Sequence, residues 1–425
     1  MSRRRRRWRR IVRDAFVDVR PLRHRDFRLL FIGRGITFLG AMVTFVAVPY
    51  QVFQITHSSF AVGMVGLVEA VPLVVAAVVG GAIADARDRR RQVWITELGL
   101  MACSGGLLAN AALRHPHLAT IYLLAALMAA LEGLQRPALE AMVPRLVPRE
   151  DLKAAGALGA LRMTIGMIAG PAIGGALVAT VGLRGAYAFD LATFTFSLVA
   201  LALMHAVPPP VDAEPASLRR IIEGFRYARS RQELIGTYLV DINAMFFGMP
   251  EALFPALAVK FGGAGALGWI YAAPAFGSLV ATAASGWTGR VHRYGWAVLC
   301  AATAWGLAII AFGFAHNLWV ALLFLAFAGA ADMVSGIFRM ALWNETIPDA
   351  LRGRLAGIEQ VSYSIGPALG NVESGTVASV FSVQTSIVSG GIFCVLGSVV
   401  LGLALPAFRH YDSRNAAPTA PVITP

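Results

Sequence analysis

Apolar residues run along this chain in long, almost uncharged stretches, parted by short polar breaks. A helix needs about 20 such residues to cross the hydrocarbon core of a bilayer. Twelve stretches meet that length: residues 28–53, 60–84, 92–113, 118–137, 154–180, 185–206, 234–258, 264–288, 294–314, 317–339, 355–381 and 384–406. The pattern predicts an all-α membrane protein with twelve transmembrane helices. An even number of crossings places both termini on one side. The composition agrees: 57% of residues are hydrophobic and 14% charged, and the mean hydropathy is +0.64. A soluble protein of 425 residues has no way to hide so much apolar surface.

Charge then orients the chain. The formal net charge is +13, nearly all of it arginine, since Lys153 and Lys260 are the only lysines. In a soluble protein such an excess suggests nucleic acid. Here the basic residues fall between the apolar stretches, so no nucleic-acid partner is expected. With the span-end residues Arg28, Arg136 and Arg339 counted in the adjoining loops, the termini and every second loop carry 32 Lys and Arg, the alternate loops three, and Arg34 and Arg162 lie deeper within spans. By the positive-inside rule the arginine-rich side is cytoplasmic. The expected location is therefore the cell membrane, multi-pass, with both termini in the cytoplasm. The run Arg3 to Arg10, with Trp8 inside it, is not a cleavable signal, because the first apolar stretch begins late and runs too long. Trp8, Ile11, Val12 and Phe16 share one helical face, which reads either as a short interfacial helix on anionic lipid or as a disordered basic tail. Cys103, Cys300 and Cys394 lie far apart inside apolar stretches. They read as small hydrophobes, and no metal site, cofactor or catalytic centre is expected.

Five regions follow: a basic segment at 1–27, a six-helix bundle at 28–206, a cytoplasmic linker at 207–233, a second six-helix bundle at 234–408, and a disordered tail at 409–425. The linker opens with Pro208-Pro209-Pro210. Its residues Leu218, Ile221, Ile222 and Phe225 have helical spacing, with Ser217 as a candidate cap. The two bundles are related. Arg136-Pro137-Ala138-Leu139, Pro148 and Gly170-Pro171-Ala172-Ile173-Gly174 return as Arg339-Met340-Ala341-Leu342, Pro348 and Gly366-Pro367-Ala368-Leu369-Gly370, at offsets of 203, 200 and 196. Two pseudo-symmetric six-helix halves with a path between them are transporter architecture.

Between the second and third stretches the chain reads Gly80-Gly81-Ala82-Ile83-Ala84-Asp85-Ala86-Arg87-Asp88-Arg89-Arg90-Arg91. This resembles the Gly-x-x-x-Asp-x-x-Gly-Arg-Arg loop of major facilitator superfamily transporters, with Gly81, Asp85, Arg89 and Arg90 at the matching places. Asp88 stands where that family usually has glycine. Asp85 has two candidate partners: Arg89 one turn away, or the positive N-terminus of a helix in the other half. A contact across the halves that forms outward-facing and breaks inward-facing makes the loop a conformational latch. Gly166, Gly170, Pro171, Gly174 and Gly175 resemble the span-five motif of drug–proton antiporters in the superfamily. Glycines four apart permit close helix packing, and Pro171 bends the helix. The resemblance adds a role in shaping the cavity and limiting proton leak. Short stretches, among them Thr56-His57-Ser58, Leu253-Phe254-Pro255-Ala256-Leu257-Ala258 and Ile270-Tyr271-Ala272-Ala273, together with Arg34, look like the enterobactin exporter branch.

Ionisable residues inside spans are expensive, roughly 2.5–3.5 kcal/mol or more each, so each asks for a reason. Arg34 and Glu132 have matching depths on neighbouring spans and are expected to form an intramembrane ion pair, structural or gating. Glu69, Asp241, Glu251 and Asp332 lie deeper, with no arginine at their depth. They are the candidates for proton coupling or substrate binding, with Glu373 beside them. Glu140, Glu345 and Glu359 are expected to pair with loop arginines. Phe45, Phe246, Phe247 and Trp269 are either cavity-lining or packing residues.

The expected function is secondary active export of a small molecule, a siderophore, secondary metabolite or drug, by alternating access with proton antiport. The expected partners are that substrate, protons and the lipid bilayer, with the chain acting as a monomer. The alternatives are a proton-coupled uptake symporter and a membrane receptor or scaffold without transport.

Overall fold

The structure, a computed structural model, describes residues 18–207, 226–227 and 229–415, and residues 349–362 by their backbone path only. The proposed amphipathic N-terminal and linker segments lie outside the described residues. Every element among the described residues is helical. The long helices are α1 (Arg25–Thr56), α2 (Ser59–Ala86), α3 (Arg89–Ala112), α4 (Leu118–Leu146), α5 (Leu152–Ala202), α6 (Gln232–Phe247), α7 (Phe254–Phe261), α8 (Ala264–Ala283), α9 (Tyr294–Gly313), α10 (Leu318–Thr346), α11 (Asp349–Val380) and α12 (Val383–Ala404), followed by the short α13 (Pro406–Arg409).

These helices make twelve crossings. α5 breaks at Gly182, where φ is +74° and ψ −178°, a backbone region open essentially to glycine alone. Its two arms are the fifth and sixth spans. The seventh span is discontinuous: α6 ends at Gly248, a short 3-10 turn covers Glu251–Leu253, and α7 resumes at Phe254. Among the described residues ten helical segments are long and apolar enough to cross a bilayer, one of them the double-length α5. α11 falls outside that set; its stretch 363–380 carries Pro367, Asn371, Glu373 and several Gly and Ser residues, which lower its hydropathy.

Short polar side chains start several helices. Ser58, Asp88, Asn317 and Ser382 each accept a hydrogen bond from a backbone N–H in the first turn of α2, α3, α10 and α12. Asp88 thereby gains a reason: in place of the usual glycine, it caps α3 through the Arg91 N–H at 3.1 Å. Tight glycine crossings hold each half together. Gly80 and Gly133 let α2 and α4 touch backbone to backbone, and Gly277 and Gly329 do the same for α8 and α10. These pairs lie 197 and 196 residues apart, which confirms the repeat independently of the sequence motifs. Arg136 and Arg339, matched by motif, occupy unlike environments: Arg136 is exposed beside Glu140 and Arg339 is buried.

Among the described residues, the tight glycine crossings between the halves lie at one end. Gly175 of α5 crosses Gly268 of α8 so closely that a methyl group on Gly175 would come within 2.7 Å of the Gly268 Cα. Gly63 and Ser59 of α2 meet Asn371 and Gly375 of α11 in the same manner. Both crossings lie at the arginine-poor end. Toward the arginine-rich end Gly81, Gly156, Gly159 and Gly336 have open space around them.

Candidate functional site

Three groups of polar residues lie between or beneath these crossings. The first sits under the closed end. The break in the seventh span presents Glu251, whose neighbour Ala252 donates its backbone N–H to Asn371 Oδ1 at 2.9 Å. Tyr271 of α8 stands against the same turn, its hydroxyl 3.5 Å from the Glu251 carbonyl oxygen. Tyr271 lies within electrostatic reach of both Glu251 and Glu69. Its ring meets Phe45 of α1 edge-on, with centroids 5.0 Å apart, so the aromatic contact spans the two halves. Among the described residues, neither Glu69 nor Glu251 has a basic partner within 4.0 Å.

The second group belongs to the first half. Arg34 Nη1 donates to Gln135 Oε1 at 2.9 Å and lies 3.4 Å from Glu97 Oε1. Glu97 is fully buried on α3. The expected partner, Glu132, feels Arg34 at longer range but forms no ion pair with it among the described residues. The reason is axial: Gln135 and Glu97 occupy the positions on α4 and α3 that meet Arg34, whereas Glu132, about one turn deeper on the same face of α4, lies within electrostatic reach of Glu69. Arg162 of α5 lies beside them, its Cζ 6.0 Å from the Phe31 ring centroid.

The third group belongs to the second half. Arg339 of α10 forms a buried ion pair with Asp241 of α6, and its other terminal nitrogen lies 3.9 Å from Asp332. The expectation that no arginine shares the depth of these acids is corrected here. The apolar stretch was ended at Arg339, whereas α10 continues to Thr346 and carries the guanidinium inside. Glu345 is corrected as well. It accepts the Tyr294 and Tyr411 hydroxyls at 3.1 and 2.9 Å, rather than an arginine, and so ties the C-terminal segment to α9 and α10.

The loop motif divides by residue. Arg89 is buried, donating to the Ala84 and Ala141 carbonyls, and Arg90 donates to the Ala202 carbonyl. Both neutralise carboxyl ends of helices in their own half. Gln92, which drew no notice in the sequence, bridges the Gly80 and Leu134 carbonyls at the α2–α4 crossing. Asp85 is 41% exposed and reaches Arg89 at 3.9 Å. Gly81 has nothing opposite it. In the span-five motif, Gly166, Gly170 and Gly174 receive Phe38, Met42 and Val43 of α1, and Pro171 and Gly175 face Gly268 of the other half.

This arrangement can be set beside known proteins. The family model described as transmembrane secretion effector matches residues 17–424. The chain belongs to that family of the major facilitator superfamily. It is 29% identical over 398 residues to the enterobactin exporter EntS of Escherichia coli (strain K12), covering 93% of this chain and 96% of the relative. It is likewise 29% identical to EntS of Citrobacter koseri, covering 93% and 95%. Among solved structures, a bacterial homolog of the human lysosomal transporter Spinster, in an inward-facing and unoccupied conformation, aligns with a TM-score of 0.74 at 15% identity, covering 93% of this chain and 99% of that one. The nucleoside transporter NupG aligns at 0.74 and 13% identity, covering 90% and 99%. At those identities the likeness concerns the fold.

As a member of this family the chain is a multi-pass membrane transporter of exporter-like type. Sequence reasoning missed Glu97, Gln92 and Asp190. The Asp190 carboxylate is fully buried and accepts the Thr44 and Ser104 hydroxyls at 2.8 and 2.9 Å. A serine or threonine on a neighbouring span leaves no signal at this range in the sequence, so the buried network was not legible.

Proposed function

We propose that this chain exports a small organic molecule by alternating access, driven by proton antiport, with the arginine-rich face in the cytoplasm. The observation that carries the reading is the one-ended contact between halves. The glycine crossings close the arginine-poor end, and the charged groups lie in the space that opens the other way. With the charge-derived orientation this is an inward-facing state, ready to load from the cytoplasm. Rocking the halves about the site exposes the same groups to the outside. Asp85, exposed here, is then available to the other half when the cytoplasmic ends close, which is the latch.

Among the four candidate acids Glu69 and Glu251 carry the coupling. Asp241 and Asp332 share Arg339, and a carboxylate held by a guanidinium keeps its charge through the cycle. Glu69 and Glu251 share Tyr271 as a neighbour, with no cation within ion-pair distance among the described residues, next to the discontinuous seventh span, where transporters of this architecture place ion and substrate sites. Protonation removes the cost of burying them, and release restores it.

The test is transport in vesicles. The molecule is first identified by comparing cell interior and medium between wild-type and deletion strains. Inverted vesicles carrying the protein should then accumulate it when their lumen is acidified. Glu69→Gln or Glu251→Gln should lose that accumulation by at least tenfold while energy-independent exchange persists. Accumulation in right-side-out vesicles under an inward proton gradient means an uptake symporter. Binding without movement in either orientation means a receptor or scaffold. Unchanged accumulation in both amide variants removes the coupling assignment.

A further inference from the structure

Arg162 is the unusual cation of this molecule. It lies ten residues into α5, as Arg34 lies nine into α1, so both guanidiniums stand about 15 Å from the arginine-rich helix ends. Gly35 on α1 leaves a gap that admits the Arg162 stem, with a methyl group there placed 3.6 Å from its Cδ. The Phe31 ring lies beneath the guanidinium. Among the described residues no acid lies within ion-pair distance of Arg162, and its Nε is buried without a hydrogen-bond partner. The other arginines inside the bundles have partners: Arg34 has Glu97 and Gln135, Arg339 has Asp241 and Asp332, and Arg89 has two carbonyls.

A half-buried guanidinium with no anion, set beside a second guanidinium, is doubly unfavourable in a low-dielectric wall. Glu97, Glu132 and Gln135 approach Arg34 from α3 and α4, and α1 offers Arg162 only Phe31 and Gly35. Among the described residues, then, no anion of the protein answers Arg162, on an arm of α5 where Gly159, one turn nearer the arginine-rich end, has open space around it. The planar fork of arginine matches a carboxylate or similarly charged oxygen pair, and an aromatic floor favours a flat body behind it.

Resting on the reading that the chain carries a small molecule, we propose that the crease between α1 and the first arm of α5 binds an acidic group of that molecule through Arg162. The substrate class is an organic anion with a flat or aromatic portion.

The purified full-length protein in detergent provides the test, with salicylate as the probe and uncharged salicylamide as its near-isostere. Salicylate should raise the thermal unfolding midpoint saturably, and salicylamide should not. Arg162→Gln should weaken salicylate binding at least tenfold. Arg162→Lys, which keeps the charge without the fork, should weaken it at least threefold, and it decides the matter if the glutamine variant does not accumulate. Arg136→Gln, on the exposed surface, should bind as the wild type does. Equal binding of the two probes, absence of salicylate binding, or wild-type affinity in the Arg162 variants overturns the anion site. The readout needs no gradient. A protein that binds salicylate but moves nothing in vesicles overturns the transport reading alone, and one that exports while ignoring the probe's charge overturns this site alone.

Discussion

At the scale of single residues, charge is what separates the roles. Arg339 holds two acids, Asp241 and Asp332, in the wall of the second half. Removing one member of a buried pair leaves the other uncompensated, at a cost of about 3–5 kcal/mol. Arg339→Gln should therefore lower the thermal unfolding midpoint of the purified protein steeply. The double variant Asp241→Asn with Arg339→Gln should recover part of the loss, and a double variant worse than the single one argues against a shared ion pair. The contrast with Glu69 and Glu251 is direct, since their amides should keep stability and lose coupling. The residue scale is also where the sequence was least legible. Depth counted from the ends of apolar stretches matched Arg34 with Glu132, but α4 runs on to Leu146, which sets Glu132 about one turn deeper. The assembled helices gave Arg34 to Glu97 and Gln135.

At the scale of elements, small residues set where helices touch and therefore what can move. Gly175 and Gly268 bring α5 and α8 into backbone contact, and Gly63 with Gly375 seats α2 against α11. These contacts exist only while the arginine-poor end is closed. Overpacking a tight contact costs about 1–3 kcal/mol, and a penalty confined to one of two states shifts their ratio by roughly tenfold for each 1.4 kcal/mol. Gly175→Val should thus favour the opposite, outward-open state. A cysteine placed at Gly265, where a Cβ meets only Ala179 at 3.9 Å and leaves the crossing undisturbed, should in that background react with an impermeant thiol reagent at least tenfold faster than in the Gly175 parent, and an equal rate means the crossing is not a gate. Gly182 limits the elements differently. Its ψ of −178° with φ of +74° is costly for any other residue, of order 1–3 kcal/mol. Gly182→Ala should lower stability by that amount, read as a drop in the unfolding midpoint, with coupling unaffected in the protein that remains folded.

At the scale of the whole molecule, two properties follow from how the halves are joined and oriented. The 32-to-3 division of basic residues predicts cytoplasmic termini. A reporter active only outside the cytoplasm should be silent when fused after Phe408 and active when fused after His57, and the reverse result inverts the topology. Asp85 is exposed in the described conformation and contributes a single long contact to Arg89. Surface pairs of this kind are worth about 0–1 kcal/mol. Asp85→Asn should accordingly leave the unfolding midpoint almost unchanged, while transport falls sharply through loss of the latch in the opposite state. Transport at the wild-type level would dismiss the latch, and a large fall in midpoint would make Asp85 a structural residue.

The sequence by itself determined the solvent of this protein, the number of its crossings and its twofold internal repeat. Those properties depend on runs of apolar residues and on spacings along one chain, both of which are local. It also marked one tight seam, at Gly166, Gly170 and Gly174, because glycine at four-residue spacing has few other uses inside a bilayer; the other glycine crossings came from the structure. Tertiary structure alone decided which charges meet. Asp241 and Arg339 are 98 positions apart and Arg34 and Glu97 are 63 apart, and each pairing rests on helix rotation and on which bundle neighbours which. It alone decided that Arg89 and Arg90 brace their own half, that the seventh span breaks to present Glu251, and that Arg162 remains without an acid among the described residues. The physical reason is the same throughout: burial in hydrocarbon is decided residue by residue, whereas electrostatic partnership is decided by distances that only the assembled bundle sets.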